Sequence, residues 1–243
     1  VRNTPISETA ILGCAIGSAT QGLRPVAEIM YLDFTTVCMD MIVNQAAKIH
    51  YMSGGQVNVP MVIRTQGGAG RNAGAQHSQS LEAWFMHVPG LKVVTPSCPA
   101  DAKGLLKSAI RDENPVIFIE NCQLYNIKGE VPEDEYTIPI GKAEVKREGS
   151  DVTLISYWRM VNECLHAAEE LAKEGIEAEV IDLRTLLPLD TETILKSVEK
   201  THRAVVISED VEIGSVTKEI GAFICKEAFY YLDAPVEYVN SKM

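Results

Sequence analysis

The sequence predicts an α/β fold of two domains, each a mainly parallel sheet flanked by helices. Three observations predict it. Short apolar, β-branched runs alternate with helix-length stretches along the chain, the pattern of βαβ units joined by right-handed crossovers. An acidic stretch bearing Gly and Pro interrupts that rhythm at residues 121–141. A glycine-rich segment, Gly67 to Gly74, lies between a strand run and a helix run, where open α/β sheets bind their ligands.

The elements follow in order. Residues 7–21, rich in Ala and Gly, read as a helix, with Ser7 at its cap position and Glu8 favoured by the helix dipole. Arg24 to Tyr31 reads as a strand, closed by Asp33-Phe34, which taken alone is a turn aspartate beside a core aromatic. Residues 35–52 read as one helix stopped by Gly54-Gly55. Strand 59–65, helix 79–87, strand 91–95, helix 99–112 and strand 115–120 follow. Past the break come strand 151–156, helix 159–174 ended by Gly175, strand 176–181, helix 190–200, strand 203–208, helix 215–230 and strand 235–239. The expected organisation is a first domain over 1–125, an acidic linker over 126–140 and a second domain over 141–243.

Composition narrows the function classes. With 243 residues, 46% of them hydrophobic, the chain can form one large or two small cores. A net charge of −11 argues against a nucleic-acid surface, which needs clustered Lys and Arg. The six cysteines fall in no CxxC pair, which reads as free thiols in a reducing compartment. The histidines show no zinc spacing, and no apolar run reaches the roughly 18 residues of a membrane helix. Residue 1 is Val and a motif begins almost at once, so an incomplete chain is expected.

The glycine-rich segment carries the strongest functional signal. It ends on Gln76-His77-Ser78-Gln79, a polar cluster with one titratable group. Two readings stand: a ligand site with an acid–base residue, or an ordinary surface loop. Gly68-x-Gly70-x-x-x-Gly74 is near a dinucleotide fingerprint, but no packed apolar turn follows it and no acidic residue ends a second strand about 20 residues on. Walker A, Gly-Asp-Gly and G-x-S-x-G sequences do not occur.

Several blocks in one order resemble a known family. They are Thr4-Pro5-Ile6-Ser7-Glu8, Gly22-Leu23-Arg24-Pro25-Val26, Tyr51-Met52-Ser53-Gly54-Gly55, Gln76-His77-Ser78-Gln79-Ser80-Leu81-Glu82-Ala83-Trp84, Pro89-Gly90-Leu91-Lys92-Val93-Val94 and Asp101-Ala102-Lys103-Gly104-Leu105-Leu106. Together they resemble the beta subunit of thiamine-diphosphate-dependent 2-oxo acid dehydrogenases, the pyruvate, branched-chain and acetoin dehydrogenases among them. Leu124-Tyr125-x-x-x-Gly129-Glu130-Val131-Pro132-Glu133 and the Arg64-Thr65 block look most like the acetoin branch.

The resemblance implies a transketolase-like pyrimidine-binding domain followed by a transketolase C-terminal-like domain. It implies thiamine diphosphate as cofactor, shared with an alpha subunit that would hold the magnesium. Glu8 would contact N1′ of the aminopyrimidine, Phe34 would pack on that ring, and His77 would stand near the reacting carbon. Met61, Ala109, Asp112 and Asn114 match positions that hold a structural potassium ion in some relatives. The implied assembly is an alpha2beta2 heterotetramer working with a lipoyl-bearing acyltransferase, in bacterial cytoplasm or mitochondrial matrix. The implied reaction is acetoin cleavage or 2-oxo acid decarboxylation, with acyl transfer to the lipoyl carrier.

This chain departs from the family at Tyr157-Trp158, where smaller residues are usual, at Ser208-Glu209-Asp210-Val211-Glu212, and at Val216-Thr217-Lys218-Glu219. Those changes bear on the partner contacts of the second domain. Two rivals remain: a non-catalytic assembly or regulatory subunit of the same fold, and a single-chain transketolase-like enzyme, which requires a Gly-Asp-Gly motif.

Overall fold

The computed structural model describes residues 1–242 and contains two five-stranded sheets. The first is built from β1 (Val26–Ile29), β2 (Val62–Gly67), β3 (Lys92–Val94) and β4 (Val116–Asn121), all parallel, in the order β1-β2-β4-β3. Its flanking helices are α1 (Glu8–Ala19), α2 (Ile49–Met52), α3 (Glu82–Met86) and α4 (Pro99–Arg111). The second sheet holds β5 (Glu144–Arg147), β6 (Val152–Ser156), β7 (Ala178–Asp182), β9 (Ala204–Val211) and β10 (Glu237–Ser241), in the order β10-β9-β6-β7-β5. Helices α5 (Met160–Lys173), α6 (Thr191–Thr201) and α7 (Val216–Glu227) complete it. Central strands such as β4, Val116–Ile119, are buried on both faces, as parallel strands covered by helices must be.

Strand β8 (Thr185–Leu187) belongs to the second half of the chain but closes the first sheet, antiparallel to β3. Neither β8 nor β5 is visible in the sequence pattern. β8 is three residues long and runs into Pro188, and β5 reads Glu-Val-Lys-Arg, an edge strand antiparallel to β7.

The helix expected over 35–52 does not form as one piece. Leu32–Cys38 makes 3-10 turns, Met41–Ala46 a wide π turn, and the segment ends in a short α-helix at Ile49–Met52. The hydroxyls of Thr35 and Thr36 hydrogen-bond the carbonyls of Leu32 and Asp33 at 2.5 and 2.8 Å, and the β-branched run Thr35-Thr36-Val37 disfavours a regular helix. The helix expected over 79–87 is likewise confined to α3. All six cysteines are free, and no helix among the described residues is long and apolar enough to cross a membrane.

The two sheets meet at the carboxyl ends of β2 and β4. The turn after β6 supplies the contact. Trp158 is fully buried and its indole N–H donates to the Ile119 carbonyl at 2.7 Å. Tyr157 donates to Glu82 Oε1 at 2.6 Å. Arg159 donates to Glu209 Oε1 at 2.6 Å, while Asn121 of β4 donates to Glu209 Oε2 at 2.9 Å. Of the departures at 208–212 and 216–219, Ser208, Asp210, Val216 and Thr217 are buried, whereas Val211, Glu212 and Glu219 are exposed. Asn240 donates to Ser208 and Asp210, Asp210 accepts the Val216 amide, and Thr217 donates to Asn240. A hydrogen-bonded interior network therefore absorbs the buried ones.

Glu82 is buried, and its second oxygen has no partner among the described residues. Burial pushes its carboxyl up to about 8, and the negative charge of Asp210 adds to this, against the Tyr157 hydrogen bond. The folded value lies above the ordinary 4.5, so folding favours the protonated form. That stabilisation is complete below about pH 4.5 and is lost as pH rises towards 8, at up to about 1.4 kcal/mol per pH unit. Glu82→Gln mimics the protonated state. Its melting temperature should match wild type near pH 5, exceed it progressively up to pH 8, and keep a constant gap above that. Thermal melts of both chains across pH 5–9 check this; a gap that does not depend on pH rules out a buried proton.

Candidate active site

The glycine-rich segment leaves β2 through Gly68 and Gly70, both in the left-handed region at φ +90° and +97°. A Cβ on Gly68 would stand 2.7 Å from Asn121 Nδ2 and 2.8 Å from Glu209 Oε2, so only glycine fits beside that pair. Cys122 fastens the root of the loop, its amide donating to the Gly67 carbonyl at 3.0 Å. No helix starts directly behind Gly74. A single turn, Ala75–His77, comes first, held by the His77 amide on the Gly74 carbonyl at 3.2 Å.

That turn directs His77 against two aromatic rings. Its ring lies edge-on to Phe34 at 5.2 Å between centroids and edge-on to Tyr31 at 4.6 Å. Tyr31 and Phe34 meet each other edge-on at 6.1 Å. In 3-10 turns residues i and i+3 eclipse, which stacks these two side chains on one side of the segment. Tyr31 was missed in the sequence because it reads as the end of a strand. Its spacing of three from Phe34 carries the signal only once the 3-10 geometry is known.

Glu8 opens α1, whose buried face is Leu12, Ala15, Ile16 and Ala19. Ser7 occupies the cap position, but its hydroxyl makes no capping hydrogen bond. Capping therefore does not explain Ser7. The first turn is fastened to the segment behind Phe34 by Thr9, which donates to the Val37 carbonyl at 3.0 Å. Glu8 is partly buried, and its carboxylate takes no hydrogen bond or ion pair among the described residues. Burial pushes the Cys38 thiol up to about 11, and the nearby charge on Glu8 adds to it. The arrangement offers one carboxylate with open acceptor positions, one aromatic patch and one imidazole. It suits a flat, partly apolar ligand with a nitrogen for the carboxylate to contact.

Met61, Ala109, Asp112 and Asn114 gather at the opposite end of the sheet, where β2 and β4 begin. The Met61 carbonyl accepts the Val116 amide at 2.9 Å. The Asp112 carboxylate is taken by Lys92 and by the Asn114 amide and side chain. Burial alone would raise that carboxyl, but these hydrogen bonds hold it below the usual range. Arg24 donates to the Ile110 and Asp112 carbonyls at 3.2 and 2.9 Å. A cation here would have backbone oxygens as its open ligands. Among the described residues, no group of three or more His, Cys, Asp or Glu side chains is arranged to hold a metal ion.

Comparisons with known proteins agree with this architecture. Residues 1–128 match the transketolase pyrimidine-binding domain and residues 141–242 the transketolase C-terminal domain. The chain is 54% identical over 237 residues to the beta subunit of acetoin:2,6-dichlorophenolindophenol oxidoreductase from Cupriavidus necator, covering 98% of this chain and 70% of that protein. It is 48% identical over 238 residues to the 2-oxoisovalerate dehydrogenase beta subunit of Bacillus subtilis, covering 98% and 73%. It is 51% identical over 243 residues to a mitochondrial pyruvate dehydrogenase E1 beta subunit of Oryza sativa, covering 98% and 65%. Among solved structures, an inactive beta4 tetramer of a split-gene transketolase superposes with a TM-score of 0.83 at 26% identity, covering 99% of this chain and 74% of that one. The chain therefore belongs to the family of beta subunits of thiamine-dependent acetoin, pyruvate and branched-chain 2-oxo acid dehydrogenases, built from the two transketolase-type domains.

Proposed function

We propose that this chain is the beta half of a thiamine-diphosphate-dependent dehydrogenase that cleaves acetoin or decarboxylates a 2-oxo acid and passes the acyl group to a lipoyl carrier. The observation that carries the reading is the meeting of His77, Phe34 and Tyr31 beside the helix that Glu8 opens. Each relative named above is a beta subunit, which supports an alpha-subunit partner that would bring the magnesium and complete the site. The full assembly is an alpha2beta2 heterotetramer serving a lipoyl-bearing acyltransferase. Free thiols suit the reducing cytoplasm or mitochondrial matrix.

When bound, thiamine diphosphate supplies an acidic thiazolium carbon that can add to the substrate carbonyl. The residues of this chain do the rest by position. Glu8, whose carboxylate has no protein partner, holds the proton at N1′ of the aminopyrimidine. Phe34 packs on that ring and excludes water from it. His77 holds or moves a proton at the substrate oxygen, or orients the incoming lipoyl acceptor.

Two outcomes follow. Glu8→Gln in the assembled enzyme should keep the fold and slow hydrogen–deuterium exchange at the thiazolium carbon by about 10²–10⁴-fold, the usual contribution of acid–base help. Exchange as fast as wild type would remove Glu8 from this role. His77→Ala should leave cofactor affinity within about twofold of wild type and lower steady-state turnover with lipoylated acceptor by roughly 10²-fold or more. Co-purification with an alpha subunit and rates on acetoin, pyruvate and branched-chain 2-oxo acids test the whole reading. No turnover of any of the three by an assembled, cofactor-loaded pair would favour the non-catalytic alternative.

A further inference from the structure

Gln79 uses three polar groups to close the loop that carries His77. Its carbonyl accepts the Gly68 amide at 3.3 Å, joining the two ends of segment 68–79. Its own amide and its side-chain amide both donate to Asp33 Oδ1, at 3.2 and 2.9 Å. Asp33 is 4% exposed, and its other oxygen is buried with no partner among the described residues. The carboxylate thus gives up solvation to hold this one residue, a cost that persists only where the geometry it fixes is maintained by its surroundings.

The two sides of this contact differ in stiffness. Asp33 sits in the 3-10 turns between Tyr31 and Phe34, fixed by the Phe34 amide on the Tyr31 carbonyl at 3.0 Å and by the Thr35 and Thr36 hydroxyls. The loop contains Gly68, Gly70, Asn72 and Gly74, all at positive φ. Inside it, the His77 amide and the Ser78 hydroxyl both return only to the Gly74 carbonyl. A chain so rich in glycine has many conformations available, and an outside anchor removes most of them.

We propose that Asp33 is a positioning residue for His77. By clamping Gln79 it closes the glycine-rich loop, and it sets the imidazole against the same two rings that flank Asp33 in sequence. This rests on the reading of His77 as an active-site group. A displacement near 1 Å costs on the order of 10²-fold in rate, so losing the clamp should be felt in turnover more than in binding.

The test uses the chain assembled with its alpha subunit, and it reads loop closure separately from activity. Arg71 is exposed in the middle of the loop, so trypsin cleavage after Arg71, followed by mass spectrometry, reports opening directly. Asp33→Ala should speed that cleavage at least tenfold and lower kcat about 10–10²-fold, with KM nearly unchanged. Asp33→Asn keeps an acceptor oxygen for Gln79 and should restore both readouts to near wild type. Because Asp33 is buried, Gln79→Glu is the second variant: position 79 is exposed, and a new carboxylate there repels Asp33 and should open the loop without disturbing the core. Adding Asp33→Ala to His77→Ala should lower turnover no further than His77→Ala alone. Wild-type cleavage and turnover in Gln79→Glu, beside an impaired His77→Ala, would overturn this inference alone. Normal turnover in His77→Ala with accelerated cleavage in Asp33→Ala would instead overturn the functional reading and leave the closure standing.

Discussion

The contact on which the rest of this structure depends is the one Trp158 makes with the carboxyl ends of β2 and β4. Its backbone is left-handed at φ +56°, which is unfavourable by about 1–3 kcal/mol for a bulky residue. The surroundings over-determine it. The ring is fully buried, its N–H meets the Ile119 carbonyl, and its tip would lie 3.3 Å from a Cβ at Gly67. Burying an indole offsets the backbone strain. Gly67 lacks a side chain where Trp158 and Leu32 close over it. One aromatic group from the second sheet thus fixes the point from which the glycine-rich loop departs.

The polar groups at this seam follow from that placement. Bringing two sheets together buries carboxylates, and each needs partners. Glu209 takes Arg159 from its own sheet and Asn121 from the other. Asp101 takes Arg184 at 2.7 Å and Lys146 at 3.2 Å. Asp182, fully buried, is raised to about 6 by desolvation even though Ser97 and Lys146 pull it down. The Arg184 side chain, the Thr95 amide on the Arg184 carbonyl, and strand β8 beside β3 all come from one excursion of the second half of the chain onto the first sheet. The seam therefore combines these ion pairs with a continuous apolar core, in which Ile119 and Leu32 of the first domain pack in one cluster with Trp158 and Leu183 of the second, so the two halves share a core and do not pack as independent ones.

Rigidity and freedom are sharply divided around the site. Phe34, Tyr31 and the start of α1 belong to packed segments tied by backbone and threonine hydrogen bonds. His77 belongs to a loop whose shape comes from contacts outside itself, at Gly68 with Asn121 and at Gln79 with Asp33. The loop can have few internal contacts and still return to one position.

The sequence by itself determined the alternation of strands and helices, the two-domain α/β class and the glycine-rich loop at the end of β2, because periodicity and glycine placement are local properties of the chain. It also singled out Glu8, Phe34 and His77 through motif resemblance. Only the tertiary structure decided that Phe34 and His77 touch, that Tyr31 joins them, and that Gln79 is held by Asp33, since those pairs lie 46 or fewer residues apart on separate elements. It alone revealed β8 and β5, whose short or charged sequences carry no strand period of their own and are strands only because a neighbour offers hydrogen bonds. The broken helix at 32–52 has the same origin: its apolar spacing is helical, but threonine hydroxyls and the packing of α1 against it select tighter and wider turns. Local pattern sets what each segment can be, and long-range contact chooses among those forms.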